Sequence, residues 1–234
     1  MTKELFRDDS YLKQCKALLV NQQDNKIELD QTVFYPMGGG QPGDTGVLIR
    51  HDGTRVEVRD TLKDRESGRI WHIIDEGITL EQGEVLSAEI DWERRYSLMR
   101  LHSCMHMLCA IVPAPVTGGS IRDQGTARLD FDLPDPPDKE ALNQQLNALT
   151  SSDHAMTLSW ITDEEMTAQA DLVRTMSVQP PMGSGRVRLV EFADVDLQPC
   201  GGTHVANSNE IGAVSIQSIK KKGKLNRRIT IALT

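Results

Sequence analysis

The sequence predicts an α+β protein, with a small β-barrel domain over residues 1–90 and an antiparallel sheet with helices beside it over residues 91–234. Three observations predict it. Short β-type segments with polar breaks fill the chain up to Asp91, helical periodicity begins abruptly there, and strand alternation returns toward the end. At 234 residues the chain can bury a substantial core as one large domain or two small ones, and the change of texture favours two.

In order, KALLV, KIELD, GVLI, RVEVRD, RIWHII and GEVLSAEI read as strands. Turn signals such as Gln-Asp-Asn-Lys, Pro-Gly-Asp-Thr-Gly and His-Asp-Gly-Thr separate them, and such close spacing predicts a small barrel or sandwich. Asp91 can cap a helix that Pro113 ends, along which Leu98, Leu101, Met105, Leu108 and Val112 form one apolar stripe. A second helix begins near Asp138, after the Pro-rich break LPDPPD, with Leu142, Leu146 and Leu149 on one face. Thr162-Asp-Glu-Glu165 has capping-box spacing and announces a third. The loop QPPMGSG leads into a strand, RVRLVEF, and AVSIQSI and RRITIAL read as a terminal hairpin.

Composition narrows the function classes. There is no apolar run of membrane-spanning length, and the start, MTKELFRDDSYL, lacks the unbroken apolar core of a signal peptide; the expectation is a soluble, cytoplasmic protein. Four cysteines do not make a disulfide framework in such a chain, and Cys15, Cys104 and Cys109 read as buried thiols. The net charge of −8 argues against a generic nucleic-acid coat but hides a segregated distribution. Lys220, Lys221, Lys222, Lys224, Arg227 and Arg228 are six cations in the last 24 residues, which contain no acid, so residues 1–210 carry −14. A patch that basic can hold phosphates while the body stays acidic, although composition alone favours a solvated hairpin tip.

The chemistry lies in two spaced pairs. QPCGGTHV sets Cys200 and His204 four residues apart around two glycines, and LHSCMHML sets His102 and His106 at i and i+4, on one face of the predicted helix and flanking its apolar stripe. Thiolate and imidazole are the ligands Zn2+ prefers, so the two pairs predict one zinc per chain. The four ligands would fill a tetrahedral shell, whereas catalytic zinc keeps a position open. Either the metal expands or exchanges a ligand, or Cys200 or His204 is only a supporting partner, or the zinc is structural. Cys200 as a nucleophile beside His204 is the weaker alternative, because a metal-bound thiolate is not free to attack. His51, His72 and His154 read as ordinary.

A second glycine-rich stretch, TVFYPMGGGQPGDTG, runs from Thr32 to Gly46. It lacks the Gly-Lys-Ser/Thr ending of a phosphate-binding loop and no helix follows it, so no nucleotide cofactor is expected. Gly38, Gly39, Gly40 and Gly43 suit either an irregular hairpin needing positive φ or a backbone approached closely by a ligand, with Thr32 and Gln41 offering polar side chains.

Together DQTVFYPMGGGQPGD, LHSCMHML and PCGGTHV followed by NEIGAVSI resemble, in that order, the editing domain of alanyl-tRNA synthetases and its free-standing relatives, the alanyl-tRNA editing proteins. RLDFDL and GKLNRRI add to a likeness that covers nearly the whole chain. The glycine-rich motif resembles that of the longer members, which carry an N-terminal β-barrel before the zinc-bearing domain. The histidine and cysteine elements are shared with a threonyl-tRNA synthetase editing domain, and the glycine motif tips the choice toward alanine.

The resemblance implies an ATP-independent, zinc-dependent aminoacyl-tRNA deacylase acting on mischarged tRNA(Ala), chiefly the serine ester and also the glycine ester. An alanine pocket rejects serine only about a hundredfold, whereas a second site that hydrogen-bonds the serine hydroxyl can spare the alanine ester. By resemblance Thr32 reads that hydroxyl, Gln41 contacts the aminoacyl end or supports the pocket, and the run from Lys220 to Arg228 contacts the tRNA backbone. The alternatives are a zinc-stabilised RNA-binding module without turnover, a deacylase for another misacylated tRNA, or a small-molecule metallohydrolase. Compact structural zinc modules keep their ligands within short loops, whereas these pairs lie about a hundred residues apart, and a small-molecule enzyme would leave KKKGKLNRR without a task.

Overall fold

The computed structural model describes residues 1–169, 172–173 and 185–234. The chain divides into two compact units, Met1–Ser97 and Leu98–Thr234.

The first unit contains β1 (Lys3–Glu4), β2 (Gln14–Gln23), β3 (Lys26–Leu29), β4 (Gln31–Thr32), β5 (Gly46–Ile49), β6 (Arg55–Lys63), β7 (Ile70–Ile74) and β8 (Val85–Ile90). Six of these close a barrel in the order β2-β3-β7-β6-β5-β8, antiparallel throughout. The expected barrel is formed, because β8 pairs with both β2 and β5 and so closes the sheet. Side chains alternate as a half-buried strand requires, so Ala17 and Leu19 join Ile27, Leu48, Val58 and Leu86 in the core while Leu18 and Val20 face outward. The pair β1 and β4 runs parallel and carries Thr32, a pairing that two-residue strands give no periodicity to announce.

The glycine-rich loop is built on the barrel. Gly38 and Gln41 exchange backbone hydrogen bonds of 3.1 and 2.9 Å around Gly39 (φ +57°) and Gly40 (φ +82°), a two-residue turn that only left-handed positions allow. Gly43 is needed for a different reason: a Cβ there would sit 2.1 Å from the Thr61 carbonyl of β6. Next, the buried Asp44 carboxylate accepts the Tyr35 N–H at 2.6 Å and an ion pair from the buried Arg95 guanidinium, whose Nε lies 3.0 Å away. Arg95 also donates to the Ser10 and Val33 carbonyls at 3.0 and 2.7 Å, which satisfies a charge that burial would otherwise make costly.

Arg95 belongs to α1 (Trp92–Ile111), whose first turn is capped by the Asp91 carboxylate accepting the Arg94 N–H at 3.1 Å. The helix runs across the division between the units and stops just ahead of Pro113.

The second unit contains β9 (Val116–Arg122), β10 (Thr126–Asp132), α2 (Lys139–Thr150), β11 (Met156–Thr162), α3 (Asp163–Ala168), β12 (Arg186–Phe192), β13 (Asp196–Pro199), β14 (Val214–Lys221) and β15 (Asn226–Leu233). Two antiparallel sheets form, in the orders β14-β15-β10-β9 and β11-β12-β13. The Asp138 carboxylate caps α2, which buries Leu142, Leu146 and Thr150, with Leu149 half-buried beside them. Asn143 and Asn147, one turn apart, bond the backbone of Val214 and Ile216 at 2.8 to 3.1 Å, so α2 closes the free edge of β14. The capping box of Thr162 and Glu165 is formed. Residues 179–184 of the expected loop QPPMGSG lie outside the described residues. Among the described residues no helix is long and apolar enough to cross a membrane.

Candidate metal centre

Within the second unit, α1 presents His102 and His106 from adjacent turns, and the turn after β13 presents Cys200 and His204. One donor atom from each of the four lies within 4.8 Å of the others. The Cys200 Sγ stands 3.5 Å from His102 Nε2 and 3.3 Å from His204 Nε2. Tetrahedral zinc, with bonds of about 2.0 to 2.3 Å, sets neighbouring donors roughly 3.3 to 3.8 Å apart. The donor set and its spacing therefore fit a zinc ion.

The turn is held from below. Arg188 on β12, buried, donates from Nη1 to the Cys200 and Gly202 carbonyls at 3.0 and 2.8 Å, and the Gly202 N–H points at Cys200 Sγ at 3.4 Å. His106 and His204 each use Nδ1 for support and leave Nε2 for a ligand. His106 Nδ1 donates to the buried Asp196 carboxylate at 2.9 Å, and Gln198 donates to the same oxygen at 2.6 Å. His204 Nδ1 faces the Ser103 hydroxyl at 3.1 Å, which also accepts the Val205 N–H at 3.2 Å. Such partners fix the tautomer and aim the ring.

Charge within the cluster is shared. Burial works to raise the Cys200 thiol, but His102 and His204 outweigh it and draw it well below its ordinary range, the thiolate form that a metal requires. Burial works against a proton on His106, yet Asp196 and Cys200 hold its pKa up at about 9. For His204 burial, reinforced by His102 and His106, wins over Cys200 and takes the pKa well below the usual value. Cys104 lies fully buried in α1, and burial pushes its thiol up to about 12, the inert behaviour expected of a core cysteine.

Asp196, Gln198, Ser103 and Arg188 are the residues that sequence reasoning missed. The signal for two of them was present: Asp196, Gln198 and Cys200 alternate, and alternation puts polar side chains of one strand on the same face.

The glycine-motif candidates lie in the first unit. Thr32 and Gln41 are both fully buried. The Thr32 hydroxyl accepts the Phe34 N–H at 3.0 Å and lies 2.8 Å from His72 Nε2. His72 Nδ1 faces the Ile27 carbonyl at 3.1 Å, which can only accept, so Nδ1 carries the proton and Nε2 accepts from Thr32. Burial lowers the His72 pKa to about 4 and keeps the ring neutral. His72, which the sequence left as ordinary, is thus the residue that orients Thr32. His51 is exposed, and His154 Nδ1 bonds the Ala193 carbonyl at 3.0 Å.

The basic run is divided by the strand pleat. Arg227 is buried on the core side of β15 and donates to the Gly223 and Asn226 carbonyls, and Lys221 pairs with it. Arg228 and Lys220 form the next pair along and face the other way. Lys224 lies in the turn between them.

Comparison with known proteins agrees with this architecture. The family described as threonyl and alanyl tRNA synthetase second additional domain matches residues 187–230, and that described as tRNA synthetases class II (A) matches residues 4–94. The chain is 34% identical over 233 residues to the alanyl-tRNA editing protein AlaX-M of Saccharolobus solfataricus, covering 98% of each. It is 36% identical to the AlaX-M of Methanosarcina barkeri, covering 100% of this chain and 99% of that protein. It is also 33% identical to the alanine–tRNA ligase of Sulfurisphaera tokodaii, with 94% of this chain matching 25% of that longer protein.

Proposed function

This chain belongs to the family of the alanyl-tRNA editing proteins AlaX-M, and from that premise we propose that it hydrolyses mischarged tRNA(Ala), chiefly the serine ester, with the help of one zinc. The observation that carries the proposal is the four-donor cluster of His102, His106, Cys200 and His204.

The bond cut joins the amino-acid carboxyl carbon to a ribose oxygen of the terminal nucleotide; water adds, and free serine and tRNA leave. Such an ester is already activated, so holding it in place and polarising its carbonyl suffices without a protein nucleophile. A zinc ion in this site would act as a Lewis acid on that carbonyl. The protein's part is to keep the donor set rigid through Asp196, Ser103 and Arg188. Cys200, drawn toward thiolate among three imidazoles, serves as a ligand in this reading.

Thr32 carries the choice of amino acid in this proposal. Its proton is committed to His72 and one lone pair to Phe34, so what it still offers is an acceptor. A serine hydroxyl can donate to it; an alanine or glycine side chain cannot. Gln41 supports the same loop by closing the Gly38 turn.

Elemental analysis with deacylation assays tests the proposal. Cys200→Ala and His106→Ala should lose zinc and serine release together, whereas full metal retention in both removes the assignment. One observation favours a rival, a zinc-stabilised RNA-binding module without turnover: four donors fill a tetrahedron. In that case the parent chain binds zinc and tRNA but releases no serine.

A further inference from the structure

The outward face of the β14-β15-β10-β9 sheet gathers cations that the sequence scatters. Along β9 and β10, Arg122 pairs with Thr126 and Ser120 with Arg128; on β15 and β14, Arg228 pairs with Lys220 and Thr230 with Ser218. Arg128 stands opposite Thr230 and Asp130 opposite Arg228, which joins the two hairpins into one surface. Lys222, bonded through its N–H to the Asn226 carbonyl at 2.9 Å, continues that face beyond β14. The opposite side of the same strands is the core, with Ile121, Leu129, Ile229 and Ile231 buried.

These side chains line a cavity of about 290 Å³ to which Arg122, Arg128, Lys220, Lys222 and Arg228 contribute, the rest being serine, threonine and Ala127. No acid lines it. Asp130, at its border, grips Arg228 through two 2.7 Å bonds and lies 3.6 Å from Arg128 Nη1. One carboxylate against five cations leaves the face strongly positive in a chain whose other regions are acidic.

Arg128 makes the case specific. Its Nε is held by the Ser120 hydroxyl at 2.8 Å, which fixes the guanidinium plane, while its Nη1 is buried and has no hydrogen-bond partner. With only the Asp130 carboxylate 3.6 Å away and no hydrogen bond made, this buried donor on an aimed arginine fork has room for a second anion, and phosphate suits its geometry. Among the described residues the lining contains no aromatic residue and only Ala127 as an apolar one, a surface unsuited to a base or a hydrophobic ligand. What such a face recognises is a row of backbone phosphates.

We propose that this sheet face is where the tRNA backbone docks, with Arg122, Arg128, Lys220, Lys222 and Arg228 contacting phosphates; the choice of tRNA as occupant rests on the functional reading above. Arg122 and Arg128 come from a hairpin about a hundred residues before the basic tail, and two members of the tail run, Lys221 and Arg227, are excluded from the face by the pleat.

The test is binding of uncharged tRNA(Ala) across a salt series to the parent, to Arg122→Gln/Arg128→Gln and to Lys220→Gln/Lys222→Gln, with Lys139→Gln on α2 as a control cation. Lys220 and Lys222 are exposed, so the second pair cannot fail merely by misfolding; zinc content and thermal midpoint check the first. Each pair should weaken binding about tenfold or more at 0.1 M salt and lower the salt slope by about 0.7 to 0.9 per lost contact. With Ser-tRNA(Ala) the loss should fall on KM rather than kcat. Pair variants that keep the parental affinity and slope overturn the proposal, as does a parent that binds no tRNA. A parent that binds through these residues but releases no serine upholds the docking face and removes the deacylase reading instead.

Discussion

Asp196 decides how His106 can be used. Its carboxylate accepts the Nδ1 proton, so Nε2 is left free to bind a metal, and the pair is buried. Asp196→Asn should weaken zinc binding about 10- to 100-fold without removing any ligand. Competition against a chromophoric chelator measures this; parental affinity would remove Asp196 from the positioning role. Thr32 makes a second residue-scale prediction. Because its hydroxyl is locked between Phe34 and His72, Thr32→Val should narrow the preference for the serine over the alanine ester and also cost about 1 to 3 kcal/mol by leaving buried partners unpaired. Thr32→Ser, which keeps the hydroxyl, should preserve the preference. Rate constants on both esters and urea midpoints separate the effects, and an unchanged ratio in Thr32→Val would return Thr32 to a purely structural role. The two donor pairs that cluster were legible because spacing on a helix and around two glycines is written into the chain. Asp196, Ser103 and His72 were not, because each acquires its role from a partner at least forty residues away that only the fold supplies.

At the scale of elements, periodicity and caps served well where an element is long. The helix between Asp91 and Pro113 and the capping box of Thr162 and Glu165 follow from local chemistry, and the strand segments from alternation. Pairing was less legible: nothing local says that β8 closes a barrel or that Asn143 and Asn147 seal the edge of β14. The glycine-rich loop shows the same division between local and tertiary causes. Gly39 needs a positive φ but has open space around it, so Gly39→Ala should cost roughly 1 kcal/mol. Gly43 has β6 at its α-carbon, so Gly43→Ala should cost about 3 kcal/mol or more by forcing the loop off the barrel. Equal losses in the two urea midpoints would contradict this account of the loop.

For the whole molecule, the α+β class with a barrel first and sheets with helices after was legible because texture changes along the chain, whereas the division after Ser97 falls inside α1, where no break in pattern marks it. Stability of the fold should carry a pH signature from His72. Its folded pKa of about 4 lies below the unfolded value of 6.5, so the unfolded chain binds the extra proton in that window. Stability is therefore undiminished by His72 above pH 6.5 and falls by about 3 kcal/mol as pH drops to 4. Chemical denaturation between these limits should show a shallower decline in His72→Gln than in the parent, and identical declines would refute the assignment. The central claim, that the chain is a zinc-dependent deacylase that spares correctly charged tRNA, is tested most directly by incubating the purified protein with Ser-tRNA(Ala) and Ala-tRNA(Ala), before and after chelation and zinc return, and counting the amino acid released. The account predicts rapid release of serine, release of alanine at least a hundredfold slower, loss of activity on chelation and recovery with zinc. Equal release of both amino acids, or serine release that survives complete removal of the metal, would contradict it.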